Sequence, residues 1–194
     1  LLVEIGCRWM ADGQANRLLQ QQQTLLLQRG ACAQQIFAKE SFVNHTRDIL
    51  QTFWRDEQLP WLELRSTRQS RQAYKRHRHS QLSVGAIIEG ETCCLCNGRE
   101  YLLRPGDLII IPAQAPHSCN PRDGRPRSYH MLYLDMTWCR QQLPLFPSQA
   151  QVHAPQPVIR DPELFKRYQQ IVALMERQKT AALPEQVAQL LRAL

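Results

Sequence analysis

Long hydrophobic runs are absent from this chain of 194 residues; its unbroken apolar stretches, such as Leu108 to Ile111, last only a few positions. A membrane-spanning helix needs about 18 in a row, so none is expected. The first residues, Leu1-Leu2-Val3 with Glu4 close behind, lack a basic region followed by an apolar core, and no secretory signal is expected. Three signatures of catalysis are missing as well: a nucleophile motif, a phosphate-cradling glycine loop, and paired carboxylates at helical spacing. A C-x-x-C pair answered by a second one is also missing, which removes a common framework for structural zinc. The pattern therefore predicts a protein that is not an enzyme, and no cofactor.

Seven cysteines are present, an odd number, with Cys93, Cys94 and Cys96 crowded on one apparent strand. Neighbours on a strand point to opposite faces, so Cys93 and Cys94 are poorly placed to pair with each other. Free thiols in a reducing cytoplasm are the expectation. The hydrophobic fraction of 43% and the charged fraction of 21% suit an ordinary globular protein. A net charge of +7 favours an anionic partner without specifying one. Six basic residues with no acid among them fall between Arg65 and Arg78: Arg65, Arg68, Arg71, Lys75, Arg76 and Arg78. They read as a solvated strand edge and loop.

Residues 1–50 are rich in Gln and Leu but lack a clean apolar stripe or caps, and read as a poorly ordered or loosely docked extension. Beyond Phe53-Trp54 the pattern turns to strands: Leu62 to Arg65, Tyr74 to His79, Leu82 to Ile88, Thr92 to Cys96, Arg99 to Leu103, Leu108 to Ile111 and His130 to Asp135. Asn97-Gly98 predicts a type I′ hairpin turn. Asn120 to Arg127 reads as a surface loop, from its Pro, Gly and charge content. Residues 141–160 form a Pro-rich linker. Asp161 and Pro162 then open a helix whose apolar face is Leu164, Phe165, Tyr168, Ile171, Val172 and Met175. A second helix begins near Leu183-Pro184-Glu185.

Several motifs in order carry a resemblance. They are Phe53-Trp54-Arg55-Asp56, Leu59-Pro60-Trp61-Leu62-Glu63, His77-x-His79, Pro105-Gly106-Asp107, Pro116-His117-x-Cys119-Asn120-Pro121 and Ser128 to Asp135. Together they resemble the N-terminal sensor domain of AraC-type transcriptional regulators. The resemblance implies a cupin-like β-barrel over residues 51–140 that binds a small effector, and a helical dimerisation region over 161–194. It also implies a DNA-binding domain with two helix-turn-helix units, absent from this chain, which would then stop short of it. The fold class expected is mainly β with C-terminal α. The partners expected are a small effector, DNA through the absent domain, and a second copy of the chain, in the cytoplasm and away from membranes.

On a regular strand His77 and His79 share one face with Lys75, while Tyr74, Arg76 and Arg78 share the other. His77 and His79 would then point into the barrel, with His117 entering from the opposite strand. Three imidazoles can hold Zn²⁺ or Fe²⁺. Metal-binding cupins, however, place a Glu four or five positions beyond the second His, and this chain has Ser83 and Val84 there. The expected ligand-binding residues are therefore His77, His79, His117 and Tyr133, around an organic effector and no metal. The alternative is a small metal-dependent cupin enzyme, a dioxygenase or isomerase.

Overall fold

The structure is a computed structural model that describes residues 49–143 and 156–194, all within the unit Thr46–Leu194. Almost all of the expected Gln-rich extension, and residues 144–155 of the expected linker, lie outside the described residues. Nine strands follow in order: β1 (Leu50–Arg55), β2 (Leu62–Ser70), β3 (Leu82–Glu89), β4 (Thr92–Cys96), β5 (Arg99–Leu103), β6 (Leu108–Ile111), β7 (His117–Pro121), β8 (Arg127–Leu134) and β9 (Val158–Ile159). Helix α1 (Met136–Gln142) precedes β9, and α2 (Pro162–Glu176) and α3 (Leu183–Ala193) follow it. No helix among the described residues is long and apolar enough to cross a membrane.

The strands form a six-stranded sheet in the order β1-β2-β8-β3-β6-β9 and a three-stranded sheet β5-β4-β7, every pairing antiparallel. This is a cupin-like β fold with C-terminal helices, as the sequence predicts. The β4–β5 hairpin turns on Asn97 and Gly98, both at positive φ (49° and 78°), the geometry a type I′ turn demands. Helix α2 starts where Asp161 accepts hydrogen bonds from the backbone N–H groups of Glu163 (2.8 Å) and Leu164 (3.1 Å).

Alternation along the large sheet sorts its side chains into two sets. Leu62, Leu64, Leu82, Val84, Ala86, Leu108, Ile110, Leu132 and Leu134 point outward and meet Tyr168, Ile171, Val172, Met175, Val187 and Leu190 of α2 and α3. Ile87, Ile109, Ile111, Tyr129, Met131 and Tyr133 point the other way and pack with Cys94, Cys96 and Leu103 of the small sheet. One sheet thus has two buried faces.

Four local expectations are corrected. Tyr74 to His79 is not a strand: only His77 pairs, in a bridge to His117 with both backbone N···O distances at 2.9 Å. Arg127, expected in a surface loop, is the first residue of β8 and 1% exposed. The expected free thiols include a disulfide, Cys94–Cys119, between residues directly opposite across β4 and β7. Strand neighbours cannot bridge, but cross-strand partners can. Cys96 and Cys139 are free and buried, and burial pushes the Cys139 thiol up to about 12. Finally, Val158 and Ile159, inside the span expected as linker, pair with Ile109 and Leu108 and lengthen the large sheet by one strand.

Candidate functional site

The inward face of the large sheet, the small sheet and the segment 74–79 border a cleft of about 520 Å³, the solvent space at its mouth included. Its apolar wall includes Ile87, Leu103, Ile109, Ile111 and Met131. Gly85 keeps that wall open, because a Cβ there would meet the Met131 Cε and the Ile109 Cγ2 at 2.9 Å each.

His77, His79 and His117 all line the cleft, and so does Tyr133. Ring centroids are 4.8 Å apart for His77–His79, 4.4 Å for His77–His117, 5.2 Å for His79–His117 and 5.3 Å for His79–Tyr133. All four residues expected from the sequence are therefore close together. The segment carrying the first two is held by the His77–His117 bridge and by Gln114 N–H donating to the His79 carbonyl at 2.7 Å. His77 Nδ1 lies 2.7 Å from the Lys75 carbonyl and His117 Nδ1 lies 2.9 Å from the Ala115 carbonyl. Because a carbonyl only accepts, both Nδ1 atoms carry a proton, and in a neutral ring the lone pair then lies on Nε2.

Burial, and then the neighbouring imidazoles and Arg65, lower the His79 pKa to about 4. His117 is lowered by burial, which outweighs the opposing bond to Ala115; His77 and Arg65 lower it further. Both rings are thus neutral at pH 7. Burial pushes the Tyr133 hydroxyl up to about 12.

The three imidazoles are the possible metal donors, one nitrogen from each lying within 4.8 Å of the others. Their electrostatic setting does not suit a cation. Arg65 and Arg127 line the same cleft, none of its lining residues among those described is a carboxylate, and Ser83 stands on the wall where a carboxylate ligand is wanted. The nearby Glu63 is held by Arg55 at 2.7 Å, and its influence on His79 is the weakest of those acting on that ring. A dication would sit near the Arg65 guanidinium, whose charge already acts on His79 and His117, with only the weak influence of Glu63 against it.

The sequence reading missed Arg65, Tyr74, Tyr129 and Arg127 as members of the site. Arg65 lies 5.7, 5.6 and 5.6 Å from the ring centroids of Tyr74, Tyr129 and Tyr133, and Arg127 lies 5.0 Å from that of Tyr129. The Tyr74 and Tyr129 hydroxyls are 3.2 Å apart. A signal existed for Arg127: counting back by twos from Tyr133 through Met131 and Tyr129 arrives at it. Tyr74 offered none, because the irregular segment puts residues three apart, 74 and 77, on the same side.

A β-barrel that gathers polar groups into a mostly apolar slot is the architecture of a small-molecule binding domain. The chain belongs to the AraC-like ligand binding domain family, whose model matches residues 59–194. Over 61 residues it is 33% identical to YbfI of Bacillus subtilis (strain 168), an uncharacterized HTH-type transcriptional regulator; the match covers 31% of this chain and 22% of that protein. The chain therefore aligns with about a fifth of that relative's length. Among solved structures it is similar to a cupin superfamily protein from Desulfitobacterium hafniense, with 13% identity and a TM-score of 0.41, covering 50% of this chain and 83% of the other. It is also similar to the plu4264 protein from Photorhabdus luminescens, with 20% identity and a TM-score of 0.38, covering 53% of this chain and 89% of the other.

Proposed function

We propose that this chain is the effector-sensing part of a longer AraC-type transcriptional regulator, and that a small organic molecule binds in the cleft against His77, His79, His117 and Tyr133. The observation that carries this reading is the convergence of four polar rings inside the barrel of a family defined by ligand binding. The reading is of a binding protein without catalysis of its own. DNA contact belongs to a domain outside this chain, and the seat of action is the cytoplasm, where a bacterial regulator meets DNA. The Cys94–Cys119 bond argues the other way on compartment, since reducing compartments disfavour disulfides. The domain plan proposed is an N-terminal extension to residue 50, the barrel over 51–140 with Val158–Ile159 added to its large sheet, a linker over the rest of 141–160 and a dimerisation region over 161–194.

Dimerisation through α2 has to use other residues than its apolar stripe first suggests. Ile171 and Met175 are 1% and 0% exposed against the chain's own sheet, so neither is available to a partner. The partly exposed Leu164, Phe165 and Leu174 remain for that role. Sedimentation of the parent chain and of Phe165→Glu tests it: dimer and folded monomer are expected, and a monomeric parent at high concentration ends the idea.

Thermal-shift screening of small metabolites tests the sensor reading. At least one is expected to stabilise the parent, and His79→Ala is expected to abolish that shift while leaving the barrel folded. One observation favours the alternative of a metal-dependent enzyme, the pair of lone-pair-bearing Nε2 atoms on His77 and His117. Stoichiometric zinc or iron in the purified protein, lost on His79→Ala, would replace the sensor reading with that one.

A further inference from the structure

Among the described residues, five buried side-chain nitrogen and oxygen atoms lack a hydrogen-bond partner: Arg65 Nε, Ser83 Oγ, Thr92 Oγ1, Arg127 Nε and Arg127 NH1. All five belong to residues that line the cleft. A buried polar group without a partner is costly, and a buried charge without a counter-charge costs more. Such a concentration in one cavity has a simple physical solution, a guest that completes the bonds.

Arg127 sets the sign of that guest. It is 1% exposed; its NH2 donates to the Cys119 carbonyl at 2.8 Å and more distantly to that of Gln72 at 3.5 Å, and beyond the Tyr129 hydroxyl beside its guanidinium its Nε and NH1 have no partner. Six ion pairs are present among the described residues, and neither Arg127 nor Arg65 takes part in any. Both guanidinium groups lie against the ring of Tyr129. Burial raises the pKa of the Tyr129 hydroxyl, yet the net shift is downward, led by the Arg65 charge, then by the bonds to Thr67 and Tyr74, with the Arg127 charge last.

Resting on the sensor reading above, we infer that the effector is a small organic carboxylate whose anionic group takes the unpaired N–H groups of Arg127 and Arg65. A carboxylate is planar and matches the guanidinium fork; a phosphate is bulkier. Ser83 and Thr92 supply hydroxyl donors, and Ile87, Leu103, Ile109 and Met131 supply an apolar wall for the rest of the molecule. Met131 is the side chain best able to yield space, being unbranched and flexible.

The test uses the full 194-residue chain with acetate, butyrate, hexanoate and benzoate, each beside its neutral amide, and with inorganic phosphate, at constant ionic strength. Thermal shift and calorimetry are expected to show binding of at least one acid and none of its amide. Arg127→Met is expected to weaken that acid roughly ten- to a hundredfold, the scale of lost hydrogen bonds to a charged group. Arg65→Met, at a less buried position, gives the same reading if Arg127→Met fails to fold. The inference is overturned if amides bind as well as acids, if phosphate alone binds, if no acid binds, or if both arginine variants keep full affinity. Amides that stabilise the parent but not His79→Ala would leave the sensor reading standing while removing the carboxylate.

Discussion

The two faces of the six-stranded sheet are buried to similar depth and built on opposite terms. The outward face meets α2 and α3 with Leu, Val, Ile and Met, and its polar groups are matched. Tyr168, fully buried, donates to the Val84 carbonyl at 3.0 Å and accepts from Leu132 N–H at 3.2 Å, while Ser66 Oγ meets His130 Nδ1 at 2.7 Å. The inward face, on the same strands one residue out of step, holds two arginines, two tyrosines and an unpartnered serine. The first face is finished and the second is incomplete. A structure stabilised through one face of a sheet can tolerate unsatisfied groups on the other, which is where a binding site is free to form.

Substitutions can break that contrast, and the largest effect belongs to the finished face. Ile171→Ala leaves a cavity between helix and sheet and is expected to cost about 2–5 kcal/mol in urea unfolding. A cost under ~1 kcal/mol would mean that α2 is not part of the core. Tyr168→Phe keeps the ring but leaves the Leu132 N–H and Val84 carbonyl without the hydroxyl, an expected loss of about 1–3 kcal/mol.

Acid should act through the inward face. The folded pKa of His79, about 4, lies below its ordinary value of 6.5. Protonation therefore favours the unfolded chain, and the contribution to stability present above pH 6.5 is lost as pH falls toward 4. His79→Gln is expected to flatten the melting temperature against pH across that window; an unchanged slope would show that the ring titrates normally.

The smallest effect, and the one of opposite sign, belongs to the orphaned hydroxyls. Ser83→Ala and Thr92→Val remove buried groups that lack partners, so each is expected to leave stability within ~1 kcal/mol of the parent, on the stabilising side. Clear destabilisation by either would show that the hydroxyl has a partner in solution and that the inward face is less open than it looks.

Strand alternation, turn chemistry and caps act within a few residues, and for that reason the sequence alone determined the β content, the Asn97-Gly98 hairpin and the Asp161 cap; His77, His79, His117 and Tyr133 do line the cleft, although the segment carrying the first two is not the regular strand expected. Arg65 was legible only as charge, because its neighbours in sequence, Arg68 among them, are the same kind of residue, while Arg127 stood in step with Tyr129 and Tyr133 but inside a stretch that reads as a surface loop. Whether a guanidinium faces water or an enclosed slot depends on which strand lies across from it. Here β2 and β8 pair through Arg65 and Met131, residues 66 apart by their numbering, and the small sheet closes over both. The apolar stripe of α2 was equally plain in sequence, but Ile171 and Met175 look the same whether they serve a second copy or their own sheet. Only the packing of the helix on β3 and β8 decided that, since burial is a property of neighbours brought together from distant parts of the chain.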